Sequence, residues 1–113
     1  MYKMNNLENN IRILLNLFNA GKFETVISKS KSLIRKFPEY VILYNILGSA
    51  YQNSGDLNLA EDIFIKGHKL DSNDIAVMNN LGNVYKNNGK LKLSEELFQK
   101  IIEKDSNYIN AYI

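Results

Sequence analysis

Apolar residues along the chain fall into six runs with helical spacing. In the run after Gly55, Leu57, Ala60 and Phe64 share one helical face, and Gly67 continues it less regularly. Gly21, Gly55 and Gly89 each follow a run and stand where a left-handed C-cap is needed. One polar residue later, Phe23, Leu57 or Leu91 opens the next run. Pro38, Ser72-Asn73 and Ser106-Asn107 break the chain at the longer interval. The pattern predicts helices over 7–19, 23–36, 40–53, 57–70, 74–87 and 91–104, joined in pairs by tight turns.

The pairs are copies of one unit. Leu47-Gly48 recurs as Leu81-Gly82, and 81 − 47 = 34. The same shift carries Tyr51 to Tyr85, Gly55 to Gly89, Leu57 to Leu91 and Phe64 to Phe98. It also carries Asp71-Ser72-Asn73 to Asp105-Ser106-Asn107, Ser72 back to Pro38, and Tyr44 through Met78 to Tyr112. The units span 7–40, 41–74 and 75–108, with 1–6 as an N-terminal tail and 109–113 as the start of a truncated fourth. A unit this small cannot bury its apolar face alone, so the expected fold is all-α, a solenoid of three stacked antiparallel helix pairs. Gly48, Gly82, Ala60 and Ser94 leave room for a neighbouring backbone, and Tyr51, Phe64, Tyr85 and Phe98 fill what remains. Burying one such ring is worth roughly 1.5–3 kcal/mol, so these aromatics read as structural.

Tyr44, Leu47, Gly48, Tyr51, Ala60, Phe64 and Gly67, with Leu81, Gly82, Tyr85, Ser94 and Phe98, resemble the tetratricopeptide repeat, whose period is ~34 residues. Asn79-Asn80-Leu81-Gly82-Asn83-Val84-Tyr85 looks like that family's first helix. The first unit is atypical: it keeps Gly21 and Pro38 but has Leu14 for Gly, Leu17 for Tyr, Val26 for Ala and Ser30 for the aromatic. Its style is similar to the repeats that open longer tetratricopeptide stretches in bacterial glycosyltransferases and sulfotransferases.

The resemblance implies a protein-interaction module that holds an extended peptide in a concave groove lined by the first helix of each pair. The family's groove positions fall on Ile11, Leu15 and Phe18 in the first unit and on Ile42, Asn45, Ser49 and Gln52 in the second. In the third they fall on Asn79, Asn80, Asn83, Lys86 and Asn87. Such a groove is apolar at one end and rich in amides at the other. Amides carry donors and an acceptor that match a peptide backbone, and an apolar patch suits one anchoring side chain. Two plainer readings stand beside this. The asparagines are also a solvated surface, and Ile11, Leu15 and Phe18 are also core closing the end of the stack. Family members that grip acidic carboxyl termini need paired Lys or Arg, where this chain has Ile11, Leu15, Asn79 and Asn83.

Composition narrows the rest. At 113 residues, 45% hydrophobic and 23% charged, with net charge +2, the chain is one globular domain without a strong pull on nucleic acid. Lys31, Arg35, Ser28 and Ser32 form a modest basic stripe, read as solubility, with RNA binding the runner-up. Cysteine is absent, and the lone His68 has no carboxylates at ligand spacing, so no metal site is expected. Glu61-Asp62 and Glu95-Glu96 point about 100° apart on a helix and read as solvated faces supported by Lys66 and Lys100. No phosphate loop, dinucleotide fingerprint or nucleophile elbow is present, so neither catalysis nor a cofactor is expected. No secretory h-region opens the chain and no run nears the ~18 apolar residues of a membrane span, so a soluble cytoplasmic protein is expected. The sequence stops inside the repeat motif, which leaves two alternatives to a free adaptor. One is a fragment of a longer protein, such as the targeting module of a glycosyltransferase-like enzyme. The other is a homo-oligomer formed through an uncapped C-terminal end.

Overall fold

A computed structural model describes residues 2–105, with side chains from residue 6 onward. The break expected at Ser106-Asn107 and the fourth unit expected at 109–113, with Tyr112, lie outside the described residues. Six helices follow in order: α1 (Tyr2–Asn19), α2 (Phe23–Lys36), α3 (Val41–Asn53), α4 (Leu57–Leu70), α5 (Ile75–Asn87) and α6 (Leu91–Lys104). Among the described residues there is no strand.

Four of the six helices start where the spacing predicts to within a residue for a local reason. Gly21, Gly55 and Gly89 all have positive φ (76°, 89° and 79°), the torsion that reverses the chain between the helices of a pair. Asp56 caps α4 by accepting from the Leu59 amide at 3.2 Å, and Asp74 caps α5 by accepting from the Val77 amide at 2.9 Å. Tyr40 and Asp74, expected as first helical residues, are the extended N-caps of α3 and α5. The larger difference is at the start: α1 opens at Tyr2, so the stretch 1–6 expected as a tail is helical from its second residue. Tyr2–Asn6 carries no apolar periodicity that would signal it, and the Asn10 side chain helps by donating to the Asn6 carbonyl at 2.8 Å.

Packing within the second and third pairs follows from size matching. A Cβ placed on Gly48 would stand 2.5 Å from the Phe64 ring, and one on Gly82 would stand 2.9 Å from Phe98. Helix–helix approach there requires hydrogen on one side and an aromatic ring on the other. The first pair has Leu14 and Ser30 at the same two positions, and both are fully buried. Large and small have changed sides, and α1 and α2 still pack together, so the departure from the pattern leaves the helix pair intact.

Between pairs, each second helix packs on the first helix of the next: α2 on α3 and α4 on α5. The first helices also touch in series, α1 with α3 and α3 with α5. The core divides accordingly. Leu7, Leu14, Val26, Leu33, Phe37, Leu43, Ile46 and Ala50 form one cluster across α1, α2 and α3. Ala60, Phe64, Met78, Leu81, Val84, Leu97 and Ile101 form a second across α4, α5 and α6. No helix among the described residues is long and apolar enough to cross a membrane.

Candidate functional site

The series α1, α3, α5 presents one layer of first helices, and the twelve residues assigned to the groove all lie on it. Ile42, Asn45, Ser49 and Gln52 follow one another at three or four residues and so share a face of α3. Ile42 is 42% exposed, while Asn45, Ser49 and Gln52 are half-buried. On α5, Asn79 and Asn80 are half-buried and Asn83, Lys86 and Asn87 are exposed one and two turns further on.

The structure joins two of these residues directly. Asn80 Nδ2 donates to Asn45 Oδ1 at 2.7 Å, in a partly buried setting between α5 and α3. The bond uses one hydrogen of Asn80 and one lone pair of Asn45. The Asn45 amide hydrogens and the Asn80 carbonyl oxygen keep capacity for a further partner. Their separation of 35 residues is one repeat plus one, a signal that is visible in the sequence only once the repeat is known.

The apolar end divides. Ile11 and Phe18 are half-buried against the first core cluster, and Phe18 meets Phe23 edge-on at 5.2 Å between centroids. Leu15, at 45% exposure, is the member of that stripe left at the surface. Of the twelve groove residues, the exposed apolar ones are therefore Leu15 and Ile42, on two helices that touch.

The outer helices hold the cluster that sequence reasoning missed. Glu61, expected on a solvated face, is buried at 8% exposure. Its carboxylate accepts from Lys90 Nζ at 2.7 Å and from Asn88 Nδ2 at 3.0 Å, both from the turn between α5 and α6. Burial pushes the Glu61 carboxyl up, but the hydrogen bonds from Lys90 and Asn88 and the Lys90 charge outweigh it, leaving the group below its ordinary value. Glu95, one repeat later, is exposed as expected, as are Ser28, Lys31, Ser32 and Arg35. His68 is half-buried, with Nδ1 unpartnered. Burial holds its pKa below the ordinary value, Lys100 and Lys104 add to that, and Asp71 opposes it.

A profile of the tetratricopeptide repeat matches residues 41–74 and another matches 75–104, together more than half of the chain. The chain belongs to the tetratricopeptide repeat family. No curated protein matches it significantly in sequence. Among solved structures, the first tetratricopeptide domain of Spaghetti (RPAP3), bound to the HSP90 peptide SRMEEVD, is 18% identical. That match covers 89% of this chain and 80% of that one, with a TM-score of 0.85. The Yersinia enterocolitica type III secretion chaperone SycD, in complex with a peptide of the translocator YopD, is 19% identical, covering 92% and 79%, with a TM-score of 0.85. MamA is 24% identical at a TM-score of 0.86, and the match covers 96% of this chain but 63% of MamA. Identities this low establish a shared tetratricopeptide fold. Nothing in these comparisons supports a fusion to a glycosyltransferase or a sulfotransferase.

Proposed function

We propose that this tetratricopeptide stack is a non-enzymatic interaction module that binds an extended peptide of a partner protein along α1, α3 and α5. The Asn45–Asn80 pair carries the reading. Together the two side chains keep donor hydrogens on Asn45 and an acceptor on Asn80, enough to meet the carbonyl and N–H of a single peptide unit of an extended strand. Leu15 and Ile42 supply an apolar contact for one anchoring side chain. The similar structures of Spaghetti and SycD, each with a peptide bound, support the use of this fold for such a task. We count 7–40 as an atypical opening repeat, because its helices pack as a pair despite Leu14 and Ser30.

The ligand is not an acidic carboxyl terminus. Lys86 is the lone cation among the twelve groove residues, and Ile11, Leu15, Asn79 and Asn83 offer a carboxylate no charged partner. Binding therefore tolerates salt, since exposed charge pairs contribute little to it.

The test is a pull-down with the intact chain, followed by measurement of affinity for the partner recovered. Replacing Asn80 and Asn83 by alanine is expected to weaken binding by roughly ten-fold or more, because a buried hydrogen-bonded group is worth about 1–3 kcal/mol. Replacing Lys31 and Arg35 on the outer helix should leave it unchanged. Equal affinity in the asparagine variant refutes the reading.

Self-association through the C-terminal end is a second reading, favoured by Leu91. It is 58% exposed, whereas Leu57, one repeat earlier, is half-buried under the next pair.

A further inference from the structure

We propose that copies of this chain stack head to tail, the turn after α1 of one copy closing on α6 of another, with Lys22 paired to Glu95. The proposal rests on the reading that the C-terminal end self-associates, and it specifies the geometry. The junction between the second and third pairs is its template. There Glu61 on α4 receives Lys90 and Asn88 from the following turn, and Asn88 Nδ2 also reaches the Leu57 carbonyl at 3.5 Å. Leu81 of α5 packs with Ala60 and Phe64 of α4 in the same core cluster.

Shifting that junction by the repeat length locates the same positions on the two outer faces of the described stack. On α6, Glu95 stands in the register of Glu61 and Leu91 in that of Leu57, since 61 + 34 = 95 and 57 + 34 = 91. At the other end, 90 − 68 = 22 and 81 − 68 = 13, so Lys22 stands in the register of Lys90 and Ile13 in that of Leu81. Inside the stack Leu47 and Leu81 are each 2% exposed and Glu61 8%, Leu57 is half-buried, and Lys90 reaches Glu61 from the surface. On the outer faces of the described stack the apolar and acidic positions are open, with Ile13 at 49%, Leu91 at 58% and Glu95 exposed, and Lys22 is at the surface. Each end therefore shows an uncovered apolar residue at a stacking position, and the two ends carry opposite charge at the positions that pair within the molecule. Such pairing is not automatic in this chain. At the first junction Ile27 takes the place of Glu61 and Asp56 that of Lys90, so no ion pair forms there.

The contact is smaller than an internal junction. Asn9 and Asn16 replace the buried Leu43 and Val77, and Ala50 and Val84, on the face that α1 presents outward. Less apolar area is removed from water, so stacking populates only at high protein concentration. A contact between two different faces does not close on itself, so growth continues past the dimer.

The measurement is the mass of the intact chain by light scattering over a wide concentration range at low salt. The expected result is a weight-average mass that rises steadily from 13.0 kDa without settling at twice that value. Lys22→Glu and Glu95→Lys should each weaken association roughly ten-fold, and the two variants mixed with each other, or combined in one chain, should recover it. Both side chains are exposed, so circular dichroism should report the same helix content in every variant. A mass that levels at the dimer and ignores the charge swap overturns head-to-tail stacking and leaves self-association standing. A constant monomer mass overturns both.

Discussion

The first helix pair and the two that follow it solve one packing problem from opposite sides. In the second and third pairs the first helix contributes glycine and the second contributes phenylalanine, as Gly48 with Phe64 and Gly82 with Phe98. In the first pair the first helix contributes Leu14 and the second Ser30, and neither is left exposed. Close packing constrains the volume summed across the contact, not the residue on each side. The exchange has a cost that the other pairs avoid: the Ser30 hydroxyl is buried without a hydrogen-bond partner. In the third pair the buried serine is Ser94, on the same helix but at a different position, and it donates to the Gly82 carbonyl at 2.8 Å.

The comparison can be broken most forcefully at Leu14. Leu14→Ala should cost about 2–5 kcal/mol by urea unfolding, the range for emptying a core leucine site. Leu14→Gly should cost more, and adding Ser30→Phe to that variant should recover a large part of the loss by restoring the glycine–phenylalanine arrangement of the other pairs. If the second change adds its own penalty, the two positions do not share a contact and the comparison fails. Next in size, Gly48→Ala should destabilise by about 1–3 kcal/mol, because the added methyl meets the flat of a buried ring that has nowhere to move.

A smaller effect tests the junction between pairs. Glu61 has its pKa lowered in the folded state, so it stabilises above the unfolded carboxyl value and that contribution is lost as pH falls through the folded value. Thermal melts should show wild type ahead of Glu61→Gln at neutral pH, with the gap closing below about pH 4. A gap that persists into acid would assign the effect to shape instead of charge. Smallest of all, Ser30→Ala should be neutral or stabilise by up to about 1 kcal/mol, since it removes an unsatisfied buried hydroxyl and almost no volume. A clear loss of melting temperature would mean that the hydroxyl has a partner, such as a water.

Most of the fold was legible because the chain repeats. Glycine at each turn marked helix ends from local chemistry alone, and the recurring Leu-Gly pairs marked the repeat, whereas the Asp56 and Asp74 caps were not singled out. The helical course of Tyr2–Asn6 was not legible, because its residues carry no apolar period. Glu61 was misread for a related reason. It was read with Asp62 as a carboxylate pair on a helix face, whereas its partner is a lysine 29 residues away on another turn. The groove was legible as a set of helix positions but not as a surface. Periodicity gives Ile11, Leu15 and Phe18 one stripe, whereas Phe23 and the first core cluster decide which of them water reaches. Asn45 and Asn80 were both singled out as groove residues. That one donates to the other depends on the approach of α3 and α5, which no spacing rule supplies.

The turn glycines differ in kind from the helix glycines. A Cβ on Gly48 collides with a ring, whereas one on Gly55 or Gly89 would touch nothing within 4 Å. What excludes other residues at those turns is handedness alone, since φ of 89° and 79° is costly only for an L-amino acid. A D-alanine placed there by chemical synthesis would adopt the same torsion with ease and lose less freedom on folding than glycine does, for a gain of about 0.4–1 kcal/mol per turn. These reversals thus ask for the opposite enantiomer, and glycine is the achiral compromise that translation can deliver.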